Sequence, residues 1–299
     1  MIPKKFRLLI ATSFALALAA CATTSVNLPS ITDSPTGERL PGKIVWHDLL
    51  TNDPAASKRF YGELFGWEFE SVGSFAGLKS DTAYTLIRHN GRLIGGMIDT
   101  VALNNRTDIS QWVVVMSVED VDAAAQRIAD SGGTILTAPR DLQRRGRITV
   151  VQDPAGALLA LLETKDGDPV DRQPELGGFL WNELWTIDVD GAAKFYSDAA
   201  GFEVADWDTD GNEDSPANYR VLKRGDTPRA GVLLSPFEDL DPVWVSYIRV
   251  ENPAAITAKV EALGGRVLIE AQPRSLGGEV AFIAGPSEAG IALQTWPLK

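Results

Sequence analysis

Cysteine is nearly absent from this 299-residue chain; the single one is Cys21. A disulfide within the chain and a thiolate metal cluster are therefore excluded. Histidine is almost as scarce, with only His47 and His89. Soft and borderline metals usually bind through imidazole or thiolate, so a transition-metal centre has few donors to draw on. Basic residues are in deficit, 28 Lys+Arg against 40 Asp+Glu, giving a formal net charge of −12. No Lys/Arg run is long enough to track a phosphate backbone, which argues against nucleic acid as a partner. The short cluster Arg144, Arg145 and Arg147 reads as a solvated loop or strand edge. Long apolar runs are missing too. The best one, Leu8 to Ala20, is broken by Thr12 and Ser13 and falls short of the roughly 20 residues that a transmembrane helix needs.

What is present begins with an address. Lys4, Lys5 and Arg7 precede the apolar run, and small residues close it. Residues 1–20 read as a secretory signal peptide. The end of that stretch, Leu18-Ala19-Ala20-Cys21, resembles the lipobox of bacterial lipoproteins. The resemblance implies a lipid on Cys21 and a bilayer as partner. Ala22 rather than Asp follows, which implies sorting to the outer membrane, facing the periplasm. An ordinary signal cleaved nearby, with Cys21 incidental, is the alternative. Residues 21–42 lack sustained periodicity and read as a flexible tether. The rest, with 44% hydrophobic and 23% charged residues overall, suits globular domains.

Those domains are a repeat. Trp46-His47-Asp48-Leu49 returns as Trp181-Asn182-Glu183-Leu184, an offset of 135 that also pairs Phe60-Tyr61 with Phe195-Tyr196. Further on, an offset of 132 pairs Trp112 with Trp244, Gly132-Gly133 with Gly264-Gly265, and Pro154 with Pro286. The first domain is placed at 43–165, the linker at 166–177 and the second domain at 178–298.

Each copy has one rhythm, used twice. Ile44 to Leu50 is strand-like, Asp53-Pro54 starts a helix, and Ala56, Phe60 and Leu64 share its inner face. Gly66 ends that helix, and two strands follow around the hairpin signal Asn90-Gly91. The order then repeats, with a strand over Trp112 to Val118, a helix capped by Asp120, and strands joined at Asp153-Pro154-Ala155-Gly156. In the second domain, Asn252-Pro253 starts the matching helix. The fold class is α+β, with two βαβββ units per domain.

The residues Phe60-Tyr61-Gly62-Glu63-Leu64-Phe65-Gly66-Trp67, Val118-Glu119-Asp120-Val121-Asp122 and Asp153-Pro154-Ala155-Gly156 carry a family resemblance. The chain resembles the vicinal oxygen chelate superfamily, which contains glyoxalase I, extradiol dioxygenases and bleomycin-resistance proteins. The resemblance implies two tandem glyoxalase-like domains, each a curved, half-open sheet around a pocket with helices outside. It also implies three or four His, Glu or Gln metal ligands inside the curve. The first ligand position falls on Trp46 and on Trp181, and indole nitrogen cannot ligate. The middle positions fall near Thr85 and Val113, and near Tyr219 and Val245. The last falls on Ala160 and, with Gly156 matched to Gly290, on Gln294, the one surviving candidate. No cofactor is therefore expected, and a divalent metal is disfavoured. His47 lies one residue from the ligand position and should face the helices, as a buried or edge histidine. The competing role, ligand or general base, would require it to face the curve. His89, beside its turn, reads as exposed.

Trp46 shares a face with Asp48, and Trp181 with Glu183. With Trp112 and Trp244 on the facing strands, they read as an aromatic pocket holding an acid, suited to a planar or cationic small molecule. Asp48 or Glu183 would be the general base if desolvation raised its pKa. Alternatively the tryptophans are core and the acids answer nearby arginines. Three functions remain open: a metal-free small-molecule binder in the envelope, a glyoxalase- or dioxygenase-like enzyme with a degenerate site, and a structural or protein-contact lipoprotein. Missing ligands and pocket-facing polar groups favour the first.

Overall fold

The computed structural model describes residues 28–72, 84–102, 109–207 and 218–296. The stretch read as a signal peptide, Cys21 and the first part of the expected tether, up to residue 27, lie outside these. The first half-domain contains β1 (Ile44–Thr51), α1 (Pro54–Phe65), β2 (Glu68–Val72), β3 (Tyr84–His89) and β4 (Arg92–Asp99). The second contains β5 (Gln111–Ser117), α2 (Val121–Asp130), the short β6 (Thr134–Ile135) and β7 (Arg140–Asp141), then β8 (Gly146–Gln152) and β9 (Leu158–Thr164). The order recurs as β10 (Phe179–Thr186), α3 (Val189–Ala200), β11 (Glu203–Ala205), β12 (Tyr219–Arg224) and β13 (Thr227–Leu234). It closes with β14 (Val243–Arg249), α4 (Pro253–Val260), β15 (Arg266–Pro273), β16 (Glu279–Ala284) and β17 (Gly290–Gln294).

Each copy makes its own sheet from contiguous chain. The strand orders are β2-β3-β4-β1-β5-β9-β8-β6, with β7 on β8, and β11-β12-β13-β10-β14-β17-β16-β15. The two units of a domain join where first strands run antiparallel, β1 on β5 and β10 on β14. Local chemistry sets the helix starts. Asp53, Asp120, Asp188 and Asn252 each accept a hydrogen bond from the backbone N–H three residues on. Each such cap is typically worth about 1 kcal/mol. Gly66 (φ 70°) and Gly201 (φ 69°) end α1 and α3 in the left-handed conformation.

The helix-bearing faces of the two sheets pack on each other and share their cores. Phe60, Tyr61 and Leu64 of α1 cluster with Ile248, Val260, Ile283 and Leu293 of the second domain. A methyl on Gly265 would lie 2.4 Å from the Phe60 ring, and one on Gly285 would lie 2.8 Å from the Tyr61 hydroxyl. Glycine at these positions lets α1 sit down on the neighbouring sheet. In the other shared cluster, Val121 and Ile128 of α2 pack with Phe195 and Tyr196 of α3.

Residues 28–42 are not the free tether expected of them. Thr36 N–H donates to the Asp168 carbonyl (3.0 Å), Leu40 N–H to the Asp168 carboxylate (2.6 Å), and Asp168 N–H to the Glu38 carbonyl (2.7 Å). The segment thus pairs with the linker, and its polar composition serves those bonds.

Candidate functional site

Strand alternation decides what enters each curve. In the first domain, Trp46, Leu50, Tyr84, Val113, Val115, Ala160 and Leu162 line one inner cluster. Trp46 and Asp48 therefore share the inner face, as do Trp181 and Glu183 in the second domain. Trp112 and Trp244 do not join them. Asp48 pairs with Val113 and Trp46 with Val115, so Trp112 sits out of phase and points to the helices. Its indole N–H donates to the Tyr61 hydroxyl of α1 (3.1 Å), and that of Trp244 to the Tyr196 hydroxyl of α3 (3.0 Å). Both are core residues, which corrects the expectation that they line the pocket.

The first cup holds a bonded cluster. Asp48 Oδ1 accepts from Trp46 Nε1 (3.0 Å) and the Tyr84 hydroxyl (2.7 Å). Arg145 Nη1 donates to that hydroxyl (2.8 Å), and its guanidinium lies 4.6 Å from the Trp46 ring centroid. Arg145 is buried, not a solvated edge residue. Its aromatic bed and the Tyr84 oxygen replace part of the water it gives up; Nη2 finds no acceptor among the described residues. Burial raises the Asp48 pKa above the usual carboxylate value, while Arg145, Tyr84 and Trp46 oppose the rise. Burial likewise pushes the Tyr84 phenol upward.

The second cup substitutes a longer acid and more donors. Glu183 is fully buried. It accepts from the Tyr219 hydroxyl (2.7 Å), from Arg274 Nη2 (2.5 Å), and from the Tyr247 hydroxyl. Arg274 also donates to Gln294 Oε1 and lies 5.0 Å from the Tyr247 ring centroid. Burial alone would lower the Arg274 pKa, but the Glu183 carboxylate and the two phenols carry it above the ordinary value. Burial, then the Glu183 charge, raises both phenols well above theirs. Three donors take most of the about four acceptor positions on Glu183, which argues against the general-base role expected of it. The reading in which the acids answer arginines describes the second cup directly and the first through the Tyr84 hydroxyl, which bridges Asp48 and Arg145.

Gln294 lies in this cup, though not at the family's ligand position. The two last turns have equal length, since Asp153 N–H bonds Ala157 O as Gly285 N–H bonds Ala289 O. Glu288 (φ 65°), not Gly290, therefore matches Gly156 (φ 105°). The counterpart of Ala160 is Ala292, each paired across the sheet with an inner residue of β5 or β14. Gln294 shares that inner face because it stands two residues on. The middle positions hold Tyr84 and Val113, then Tyr219 and Val245; Thr85 faces the helices. An indole, a phenol, a valine and an alanine in each curve do not fit a divalent metal, and no group of three His, Cys, Asp or Glu suited to one occurs among the described residues.

His47 lies outside the cup, as strand periodicity predicts. It stacks on Phe179 (centroids 3.6 Å apart, planes 7° apart), and its Nε2 is 2.9 Å from Asn182 Oδ1. His47 and Asn182 are equivalent positions of the repeat, so the two domains touch at their own pseudosymmetric centre. Burial lowers the His47 pKa to about 4. His89 is buried rather than exposed, with Nε2 on the Leu176 carbonyl of the linker (2.8 Å).

A cavity of about 620 Å³ lies between the first domain, the linker and the second domain; His47 and Ile94 border it on one side, and it reaches Trp181, Glu183, Tyr219 and Arg274 on the other. Phe179, Trp207 and Pro174 add apolar wall. A smaller chamber of about 240 Å³ lies beyond Tyr219, Tyr247 and Arg274, against Trp185 and Phe282. The Glu183 network thus divides the second cup. Sequence reasoning missed Tyr84, Arg145, Arg274 and Tyr247 as site residues, and named Tyr219 only as lying near a middle ligand position. The offset of 135 pairs Tyr84 with Tyr219 and carried a usable signal; the two arginines share no offset, and Tyr247 replaces Val115.

Four half-domains of βαβββ order, forming two curved sheets with helices behind them, define a paired-cup α+β protein. The family model described as "Glyoxalase/Bleomycin resistance protein/Dioxygenase superfamily" matches residues 43–161. The anthracycline biosynthesis protein DnrV of Streptomyces peucetius is 31% identical over 269 residues, covering 85% of this chain and 93% of DnrV. The CFP32 protein of Mycobacterium tuberculosis is 29% identical over 244 residues, covering 82% and 91%. Among solved structures, the Mn(II)-bound glyoxalase from Novosphingobium aromaticivorans superposes with a TM-score of 0.57 at 15% identity, covering 86% of this chain and 83% of that one. The chain belongs to the glyoxalase/bleomycin resistance protein/dioxygenase superfamily.

Proposed function

We propose that this protein is an envelope lipoprotein, anchored through Cys21, whose second domain binds a planar aromatic small molecule without a metal ion. The observation that carries the reading is the 620 Å³ cavity, with Trp181 and Trp207 as aromatic walls beside a polar patch of Glu183, Tyr219 and Arg274. Such a site orients a fused-ring ligand by stacking and meets its polar edge with the guanidinium N–H groups that Arg274 does not spend on Glu183 and Gln294. The family's metal positions hold side chains that do not ligate, so binding and not metal chemistry is the activity this site supports. DnrV is named for anthracycline biosynthesis, and an anthracycline is the first probe. Titration should quench tryptophan fluorescence saturably, and Trp181→Ala should weaken binding several-fold, since stacking is typically worth about 1 kcal/mol. Unchanged affinity in Trp181→Ala would place the ligand elsewhere. Metabolic palmitate labelling that survives Cys21→Ala would refute the anchor.

An enzymatic reading rests on Asp48, whose raised pKa suits a general base, and requires Leu28 and Ile31 to leave the cup they fill. Its test is loss of turnover in Asp48→Asn with substrate binding retained.

A further inference from the structure

We propose that the cup of the first domain is a binding site for an extended aliphatic peptide, and that this chain's own segment Leu28–Ile31 is its occupant. Leu28 and Ile31 are each 2% exposed and belong to the cluster of Trp46, Leu86, Val113, Val115 and Ala160. These cup residues come from β1, β3, β5 and β9, so the segment is enclosed by both halves of the sheet. Leu28 forms a parallel β-bridge with Gln143. Two residues beyond Gln143, Arg145 Nε donates to the Pro29 carbonyl (3.1 Å). Asp33 then meets Arg88 Nη1 (2.9 Å) at the rim, beyond which the backbone bonds to Asp168 hold the chain. Side-chain burial, backbone pairing and a charged rim contact are the features by which a receptor holds an extended peptide.

The second cup shows what the site looks like without an occupant. Trp181 is half-buried there and borders open cavity, while its equivalent Trp46 is 1% exposed beneath the segment. The chemistry of the occupant is also specific. Two branched aliphatic side chains three residues apart fill the apolar wall, and a carbonyl lies on a guanidinium. Pro29 between them brings no N–H that would need an acceptor. Arg145 Nη2 stays buried with no acceptor among the described residues, a donor left for a competing peptide's carbonyl or carboxylate. The consequence for ligand binding is one small molecule per chain, in the second cup alone.

Cysteine accessibility in the full chain tests this. With Cys21→Ser as background, Ile31→Cys should react with a maleimide about a hundredfold more slowly than Ser34→Cys, whose site is exposed, because labelling must wait for the segment to leave. Equal rates would overturn the proposal. The second arm uses Leu28→Asp/Ile31→Asp, which empties the cup, and a synthetic peptide of residues 28–33. Calorimetry should show saturable binding of one peptide to this variant and none to the parent chain. A cooperatively folded variant that ignores the peptide would also overturn it. If the double variant does not fold, the labelling rates decide.

Discussion

Replacing Glu183 by glutamine should destabilise the second domain by about 3 kcal/mol, the lower end expected for breaking a buried ion pair. The Glu183 side chain is fully buried and that of Arg274 is 9% exposed, so solvent does little to screen their contact at 2.5 Å. Glutamine keeps the size and one acceptor oxygen. It removes the charge, and its amide nitrogen then either faces Arg274 as a donor facing a donor or turns to the Tyr247 hydroxyl, which must give up its own donation to accept. The guanidinium would be left with neutral partners, Gln294 among them. Urea unfolding at neutral pH measures the loss against a total stability on the order of 10 kcal/mol. Arg274→Met alone should cost a similar amount by stranding the carboxylate. The double variant Glu183→Gln/Arg274→Met should recover much of it, because two opposite desolvation penalties vanish together. A loss below about 1 kcal/mol in Glu183→Gln, the range of exposed pairs, would refute the argument that burial keeps solvent from screening this pair.

His47 makes stability pH-dependent with a defined sign. Its pKa falls from 6.5 to about 4 on folding, so between those values the unfolded chain binds more protons. Its contribution is complete above pH 6.5 and is lost as pH falls toward 4, to a total of about 3 kcal/mol. Urea titrations from pH 7 to 4 should show this slope in the parent and a flatter one in His47→Gln; parallel slopes would contradict it. Gly265→Ala should cost about 2 kcal/mol through overpacking, since its methyl would meet Phe60 at 2.4 Å and the Ala284 carbonyl at 2.6 Å. Thermal melts would check that loss, which Phe60→Leu should partly relieve. Chains restricted to 43–165 or 178–298 should each expose the helix face that the other covers. Each should bind a hydrophobic dye, and mixing the two should abolish that binding; silence of either half toward the dye would show that the shared clusters are not needed.

The fold was legible because its signals are local and doubled. Four Asx caps, two αL glycines after helices, and Asn90-Gly91 (φ 49° and 74°) at the hairpin are each set by a few adjacent residues, and most recur at a fixed offset. The inner placement of Trp46, Asp48, Trp181 and Glu183 was legible for the same reason, since period two on one strand requires no partner. Trp112 and Trp244 were misassigned because their face depends on register across β1–β5 and β10–β14, which no local pattern fixes. Gln294 reached the right face through a wrong alignment, where a left-handed Glu288 stood in for glycine. The arginines were invisible for another reason. Charge predicts solvent exposure, and only three-dimensional proximity to Tyr84 or Glu183 reverses that expectation for Arg145 and Arg274.

The two cups started from one pattern, and the differences between them follow from a few substitutions. Asp48 is one methylene shorter than Glu183, and the first cup has Val115 and Leu162 where the second has Tyr247 and Gln294. The first cup gives its arginine one side-chain acceptor, the Tyr84 hydroxyl, so Arg145 also takes the Pro29 carbonyl, and the aliphatic wall takes Leu28 and Ile31. The second cup satisfies Arg274 internally through Glu183 and Gln294, and needs no strap. If that logic holds, grafting Val115→Tyr and Leu162→Gln into the first cup should loosen residues 28–31 by supplying the polar partners and filling the volume. Maleimide labelling of Ile31→Cys should then accelerate, by about tenfold for each 1.4 kcal/mol of lost docking. An unchanged rate would mean that the segment is held by its linker contacts at Asp168, and that the composition of the cup is not what distinguishes the two domains.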